Sequence, residues 1–521
     1  MLFPTAKFVL IFLPVSLAGF QLFGLFGRKA ALAWLAFISL AFYASWRLDF
    51  VPLLLGSIAF NYLCATLIAK TAERPRLSRN ILIAGIAGNL GLLVFYKYLF
   101  PTLAFFHSAG ILKHQWAGVI LPLGISFFTF TQIGYLIDLC QGQAEGQSPV
   151  SYTVFVTFFP HLIAGPILHH KEVMPQLAEE RRYRLRLEDV NVGLSWFILG
   201  LAKKLLLADT VAPFADAAFA HPHGLSFFAA WSGSLAYAMQ LYFDFSGYSD
   251  MAIGLARMFS IRFPLNFNSP YKARNIIDFW QRFHMTLTRY VTLYLFNPIS
   301  LWVTRKRVAA GKKTSKKALA TPGGFTSMIA MPMLFVMTLL GIWHGAGLQY
   351  VIFGAMHGCY LTVNHAWRTF GPKLPPAAPV WKRRTAHVCA VLLTFVCVIA
   401  AQAFFRADSV HDAAGLLRGM AGLNGFALSP SAAALLGHIT PAAQSAATWF
   451  SSLLQNNAFD KLVLIPILLL IVWAMPNTQE IIERYGDRRI PAELRAAAYS
   501  VVLYLLLFRA VHPQNFIYFQ F

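Results

Sequence analysis

Acid is what this sequence has least of. Aspartate and glutamate together number 21 in 521 residues, against 43 lysines and arginines, and charged residues of both signs make up only 12% of the chain. An ordinary soluble domain carries about 25%, so a soluble fold of this length is excluded. The five cysteines (Cys64, Cys140, Cys359, Cys389 and Cys397) lie in or at the ends of apolar stretches without C-x-x-C spacing. That pattern argues against a disulfide framework or a cysteine zinc site. There is no G-x-S-x-G elbow and no H-E-x-x-H pair, and "AGKKTSKK" at 310–317 lacks the G-x-x-x-x-G lead-in of a phosphate cradle. No low-complexity linker and no repeat of solenoid length occurs, and strict period-two alternation is missing, which excludes a transmembrane barrel.

What is present is apolar sequence, 57% hydrophobic with a mean hydropathy of +0.57. Stretches long enough to cross hydrocarbon recur along the whole length, about eleven to thirteen of them at roughly 20 residues each. Clear examples run 8–26, 30–46, 51–69, 81–100, 192–208, 227–245, 325–342, 348–367, 385–404, 462–475 and 496–508. The expected class is an all-α polytopic membrane protein in contact with membrane lipids. The net charge of +22 would suit nucleic acid, but its placement argues for a membrane and against that partner. Lys and Arg collect in short connections (Arg28 and Lys29; Arg74, Arg76 and Arg79; Arg181 to Arg186; Arg305 to Lys317; Lys382 to Arg384; Arg484 to Arg495) that alternate with nearly neutral ones. By the positive-inside rule the basic connections are cytoplasmic and both termini external. The first apolar stretch has no small-residue cleavage site and reads as a retained anchor. One integrated membrane domain over 1–521 is the expectation, with an external, loop-rich insertion at about 406–460.

Against this background the informative residues are polar groups inside apolar sequence, because an ionisable group at membrane depth is costly unless it faces protein or water. The densest cluster holds Asp244, Asp250, Asp278 and His284. Read as one helix, "DFWQRFHMTLTRY" sets Asp278 beside Arg282 at i+4, with Arg289 further along the same face. On that reading His284 lies on another face, in line with Trp280 and Thr288, and the arginines meet headgroups. By spacing alone His284 is either a site residue or a hydrogen-bonded interfacial histidine. His344 closes the apolar run "MPMLFVMTLLGIW" and is flanked by Gly341, Gly345 and Gly347, which permit close approach of backbone or substrate. Imidazole, with a reference pKa near 6.5, suits a general base at neutral pH; a structural histidine at a helix break is the alternative.

Seven ordered blocks carry a resemblance: "LPLGISFFTFTQIGYLIDLCQG", "FFPHLIAGPI", "YFDFSGYSDMAIGLARMFSIRFPLNFNSPY", "FWQRFHMTL", "WHGAGLQYVIFGAMHG", "FFRADS" and the terminal "FIYFQF". Together they resemble the membrane-bound O-acyltransferase family, nearest to its bacterial alginate O-acetylation branch, with a recognisable core at about 121–370 and a C-terminal aromatic motif at 512–521. The resemblance implies a ring of tilted transmembrane or re-entrant helices around a central channel. It makes His344 the catalytic histidine and puts His284 on the same channel, with Trp343, Trp280, Asp250 and His357 as further channel candidates, His357 in a packing or supporting role. Where relatives continue the FWxxWH block with a segment like "SxWLRDYLYIPLGG", this chain reads "TRYVTLYLFNPISLW" and has Phe283 for the tryptophan, which bears on the donor. The implied activity moves an acetyl group from a cytoplasmic thioester, acetyl-CoA or an acyl carrier protein, across a bacterial inner membrane to an extracellular or periplasmic polysaccharide. No metal and no bound cofactor are expected. The branch also implies a separate periplasmic acetyltransferase partner resembling SGNH hydrolases. A lipid-linked glycan or other envelope acceptor is the enzymatic alternative, and a transporter the non-enzymatic one, though no inverted repeat supports it.

The C-terminal "HPQNFIYFQF" has two readings, an aromatic interface belt or a catalytic arm. Pro513 ends the last helix, and the eight residues after it reach roughly 26 Å when extended. That exceeds the approximately 15 Å from bilayer surface to centre, enough for Tyr518 to approach His344. Similar tyrosine motifs accompany the family's D-alanine exporters, which implies Tyr518 as a transient acyl carrier.

Overall fold

The computed structural model describes residues 2–427 except 115, 180–182, 184–185, 373–374 and 376–377, together with 464–485, 497–498, 500–502, 504 and 516–517. The span read at 496–508, most of the 406–460 insertion and Tyr518 therefore lie largely or wholly outside the described residues. Among those described, the chain is helical with no strand, the all-α polytopic architecture that the composition requires. Five helices are long and apolar enough to cross a membrane: Leu48–Lys70, Pro75–Ser108, Leu187–Ala220, Pro322–His344 and Val380–Arg406; a sixth counts if Ile465–Ala474 and Thr478–Arg484 form one broken span. The Phe8–Gly24 and Ile125–Cys140 helices are apolar but shorter.

Proline explains much of the interruption. Widened π-helical turns occur at Phe8–Phe12, Phe95–Leu99, Thr292–Phe296 and Thr326–Ala330, and each is followed two residues on by a proline: Pro14, Pro101, Pro298 and Pro332. A proline lacks the N–H that would close the preceding turn, and its ring clashes with the carbonyl four residues back. Opening that turn by one residue relieves the clash without ending the helix. A fifth such turn, Lys203–Ala208, has no proline in that position.

The chain divides into two compact units, one of residues 1–205, 245–266 and 478–520, the other of 206–244, 267–477 and 521. In the first, Phe3, Phe8, Phe42 and Phe159 are fully buried; Phe8 packs edge-on to Phe42 at 5.8 Å and Phe12 edge-on to Phe159 at 5.3 Å. Polar groups within its apolar helices satisfy one another. Asn61 and Asn89 exchange side-chain hydrogen bonds of 3.1 and 2.6 Å, and Gln132 donates to Ser57 at 3.0 Å. Such bonds between membrane helices contribute about 0.6 kcal/mol each, and their larger effect is to fix register. Gly193 and Gly200 on the Leu187–Ala202 helix meet Gly254 and Gly247 on the later part of Phe227–Met258. A Cβ at Gly193 would lie 2.5 Å from the Gly254 carbonyl oxygen, and one at Gly200 2.5 Å from that of Gly247. Beside this seam Asp250 accepts from Lys203 at 2.7 Å and from the Thr478 hydroxyl at 2.6 Å, while Arg257 pairs with Asp189 at 2.7 Å.

In the second unit the central element is a helical hairpin, Met331–His344 followed by Leu348–Phe370. Gly341 and Gly354 face each other at its waist. A Cβ at Gly341 would meet the Tyr350 carbonyl oxygen at 2.3 Å, and one at Gly354 the Met337 carbonyl oxygen at 2.3 Å. Around the hairpin, Tyr271 donates to the Ala238 carbonyl at 2.8 Å and packs on Phe395, and Arg406 at the end of Val380–Arg406 pairs with Asp216 at 3.0 Å. The first part of the expected 406–460 loop is itself a helix, Val410–Met420, capped by Ser409 and held by the Trp231 indole N–H on the Met420 carbonyl at 3.0 Å.

The glycine seams generate a paired prediction. Gly200→Ala forces its methyl against backbone and should lower stability by about 1–3 kcal/mol, seen as an earlier melt in detergent. Gly56→Ala meets nothing within 4 Å in its helix and should be neutral or gain up to about 1 kcal/mol from helix propensity.

Candidate active site

His344 is the last residue of the Met331–His344 helix, and Gly345 leaves in extended conformation. The ring is 6% exposed. Trp343 flanks it at 4.7 Å, and Phe405 and Phe353 meet it edge-on at 4.9 and 5.9 Å. Phe353 and Phe405 also touch each other at 4.9 Å, so His344 stands in an aromatic box that fixes its plane. One turn past Phe353, on the same helix, His357 packs against it at 4.7 Å and is buried. The Trp280 indole N–H donates to His357 Nδ1 at 3.3 Å, which leaves Nε2 as the protonated nitrogen of the neutral ring.

The block around His284 is not the continuous helix that its spacing suggests. Ile276–Trp280 ends, and Met285–Val291 begins, with His284 between them in left-handed conformation at φ 46°. His is among the non-glycine residues that tolerate this region, at a cost of order 1 kcal/mol. The facing of His284 relative to Trp280 and Thr288 is thus set by a turn, not by helical period. Asp278 and Arg282 do pair, at 2.6 Å, but as a latch across that turn. Asp278 also accepts the Arg274 N–H at 3.1 Å, and Arg282 exchanges hydrogen bonds with the Asn268 backbone. Arg282 is thus held by protein on one side while its side chain stays partly exposed. The Thr288 hydroxyl closes the turn on the Trp280 carbonyl at 2.9 Å. His284 is 2% exposed and lies outside the candidate spans, and burial lowers its pKa to about 3, so the ring is neutral.

A continuous series of ring contacts joins the two histidines within the second unit. It runs from His284 to Phe267 (6.5 Å), Phe283 (5.1 Å), Phe279 (5.2 Å), His357 (6.4 Å), Phe353 and His344. The structure thus brings His344, Trp343, His357, Trp280 and His284 into one packed assembly. Asp250 belongs to the other unit and is engaged there by Lys203 and Thr478. Glycine near His344 serves packing: the closest neighbours of Gly341 are the Tyr350 and Gly354 backbones. Phe405, Phe353 and Phe267 escaped the sequence reading, since a phenylalanine among 47 carries no signal of its own.

The model of the membrane-bound O-acyltransferase family matches residues 140–311, which include His284. Similarity extends well beyond that window. A peptidoglycan O-acetyltransferase of Helicobacter pylori is 38% identical over 460 residues, covering 82% of this chain and 81% of that protein. The chain belongs to the membrane-bound O-acyltransferase family. A probable alginate O-acetylase of Pseudomonas aeruginosa is 35% identical over 79% of this chain and 73% of its own length. A teichoic acid D-alanyltransferase of Bacillus subtilis is 28% identical over 54% and 68%. This membrane-bound O-acyltransferase is accordingly a multi-pass membrane enzyme.

Trp280→Phe keeps the ring and deletes only the N–H that orients His357. In this acyltransferase the loss of one neutral hydrogen bond, about 0.5–1.5 kcal/mol, should slow acyl transfer roughly 2–10-fold in membranes with matched protein levels. Unchanged turnover would show that His357 needs no orientation from Trp280.

Proposed function

We propose that the enzyme takes an acetyl group from a cytoplasmic thioester, acetyl-CoA or an acyl carrier protein, and delivers it through a bacterial inner membrane for O-acetylation of a cell-envelope or extracellular polysaccharide. The observation that carries this reading is the match, over four fifths of both chains, to a relative named for peptidoglycan O-acetylation. Supporting it are the relatives named for alginate acetylation and teichoic acid D-alanylation, since all three names describe an acyl group placed on an envelope or extracellular polymer.

In the proposed chemistry His344 is the general base. It takes the proton from an attacking hydroxyl as the hydroxyl oxygen bonds to the thioester carbonyl carbon. The carbon–sulfur bond then breaks, and the proton passes to the departing thiolate. His284, neutral and held in its turn, orients the donor carbonyl or the intermediate. The attacking hydroxyl is that of Tyr518, which lies outside the described residues. Its acetyl ester is then passed to a periplasmic SGNH hydrolase-like partner that esterifies the glycan, with both termini on the periplasmic side. A phenol with a reference pKa near 10 needs an adjacent base to attack at neutral pH, and His344 fills that role.

His344→Ala should reduce polysaccharide acetylation by a factor of about 10²–10⁴, the usual contribution of a positioned base, with expression and melting unchanged. Mass analysis of the isolated polysaccharide from complemented deletion strains reads this directly, and retained acetylation would refute the assignment. His284→Asn, a residue that also tolerates the left-handed backbone, should be severe but leave residual turnover. Tyr518→Phe separates the relay from a simple aromatic belt: loss of acetylation together with an acetylated C-terminal peptide in the wild type supports the relay, and wild-type activity eliminates it.

A further inference from the structure

The first unit contains a polar cluster that acyl transfer does not use. Asp138 sits in the last turn of Ile125–Cys140, His169 caps the N-terminus of His170–Ala178, and His170 is that helix's first residue. Asp138 and His170 are buried, at 4% and 6% exposure. Both rings converge on one carboxylate oxygen: His169 Nε2 is 3.1 Å and His170 Nδ1 3.0 Å from Asp138 Oδ2. The three atoms all lie within 4.8 Å of one another.

The His170 ring makes the cluster informative. Its Nε2 faces the Gln143 carbonyl oxygen at 3.1 Å, and a carbonyl only accepts, so Nε2 carries the proton. Nδ1 of that tautomer is then a buried lone pair 3.0 Å from Asp138 Oδ2 and outside hydrogen-bond geometry with it. Two electron-rich atoms at that separation are stabilised by a cation placed beside both. A proton on Nδ1 would make the 3.0 Å contact an ion pair, but one without the direction of an N–H···O bond. An ion beside the two atoms meets both. Donors on a tetrahedral ion with bonds of about 2.0–2.1 Å stand about 3.3 Å apart, close to the two nitrogen–oxygen spacings here. The Gln143 carbonyl holds His170 in the manner of an outer-shell acceptor that fixes a metal-binding tautomer, and Gln143 is itself anchored by its N–H on the Asp138 carbonyl at 2.8 Å.

We propose that Asp138, His169 and His170 bind one divalent ion of the zinc class. Two imidazoles and one carboxylate suit such an ion better than calcium or magnesium, which prefer oxygen. The ligands are Asp138 Oδ2, His169 Nε2 and His170 Nδ1, and the fourth position takes water. His169 Nδ1 accepts the Lys171 N–H at 3.2 Å, so on binding the His169 proton moves from Nε2 to Nδ1. The N–H of the exposed Lys171 then turns to water, and no proton is released. The N-terminus of His170–Ala178 disfavours positive charge, and the Asp138 carboxylate offsets it. The ion ties the end of one helix to the start of the other and clamps the intervening segment, which contains "FFPHLIAGPI".

The test uses full-length protein purified without a histidine tag. Elemental analysis after incubation with zinc chloride and gel filtration should find about one zinc per chain, removable with o-phenanthroline. Cobalt loading should give the visible absorption of a four-coordinate site. Asp138→Asn and His170→Gln should each drop occupancy at least tenfold, and chelation should lower the melting temperature of the wild type but not of either variant. Less than about a tenth of an equivalent in loaded wild type, or full occupancy in both variants, overturns the proposal. Should either variant fail to fold, the wild-type loading and the chelator-dependent melt decide alone.

Discussion

The place of His344 depends on how closely two backbones approach at Gly341 and Gly354. In hydrocarbon no hydrophobic force drives helices together, so association rests on packing and on small residues that admit a neighbour. The two glycines let Met331–His344 and Leu348–Phe370 run against each other with carbonyl oxygens where side chains would otherwise stand. The first helix therefore ends where the second begins, and Phe353 and His357 come level with His344. The aromatic box follows from that contact.

Charge and polarity are kept inside the apolar helices by reciprocal pairing. Asn61 answers Asn89, Lys203 answers Asp250, and Arg257 answers Asp189. Truncating one member of a buried ionic pair costs more than the pair contributes, because the other charge is left unsatisfied. These groups specify which helices are neighbours, and the aromatic rings then fill the space between them. His344 is set among aromatic rings, with Trp343, Phe353 and Phe405 around it.

The apolar spans and the two histidines were legible because their signals are local. Mean hydropathy marks a helix such as Val380–Arg406 within a residue or two of the stretch read from sequence, and a histidine in such company is conspicuous. The turn at His284 was not legible. Asp278 and Arg282 keep helical spacing up to the break, and tertiary contacts, such as those between Asn268 and Arg282, hold the turn in place. Gly341 stayed open between backbone and substrate approach for a related reason, since nothing in a sequence tells whether a glycine admits a ligand or another helix; the structure places backbone there. Asp138, His169 and His170 escaped notice because adjacent histidines match no standard ligand spacing, and the carboxylate comes from a separate helix.

The widened turn at Thr326–Ala330 sets the angular phase of everything that follows it. Each residue of an α-helix advances the side-chain direction by about 100°, so one residue more or less within that turn would swing His344 by a quarter to a third of a revolution about its helix axis. Rise would change by only about 1.5 Å. The aromatic box closes around one azimuth, with Phe405 and Phe353 on fixed sides of the ring. The span can therefore tolerate many apolar exchanges along its length yet have almost no freedom in residue count between Pro322 and His344.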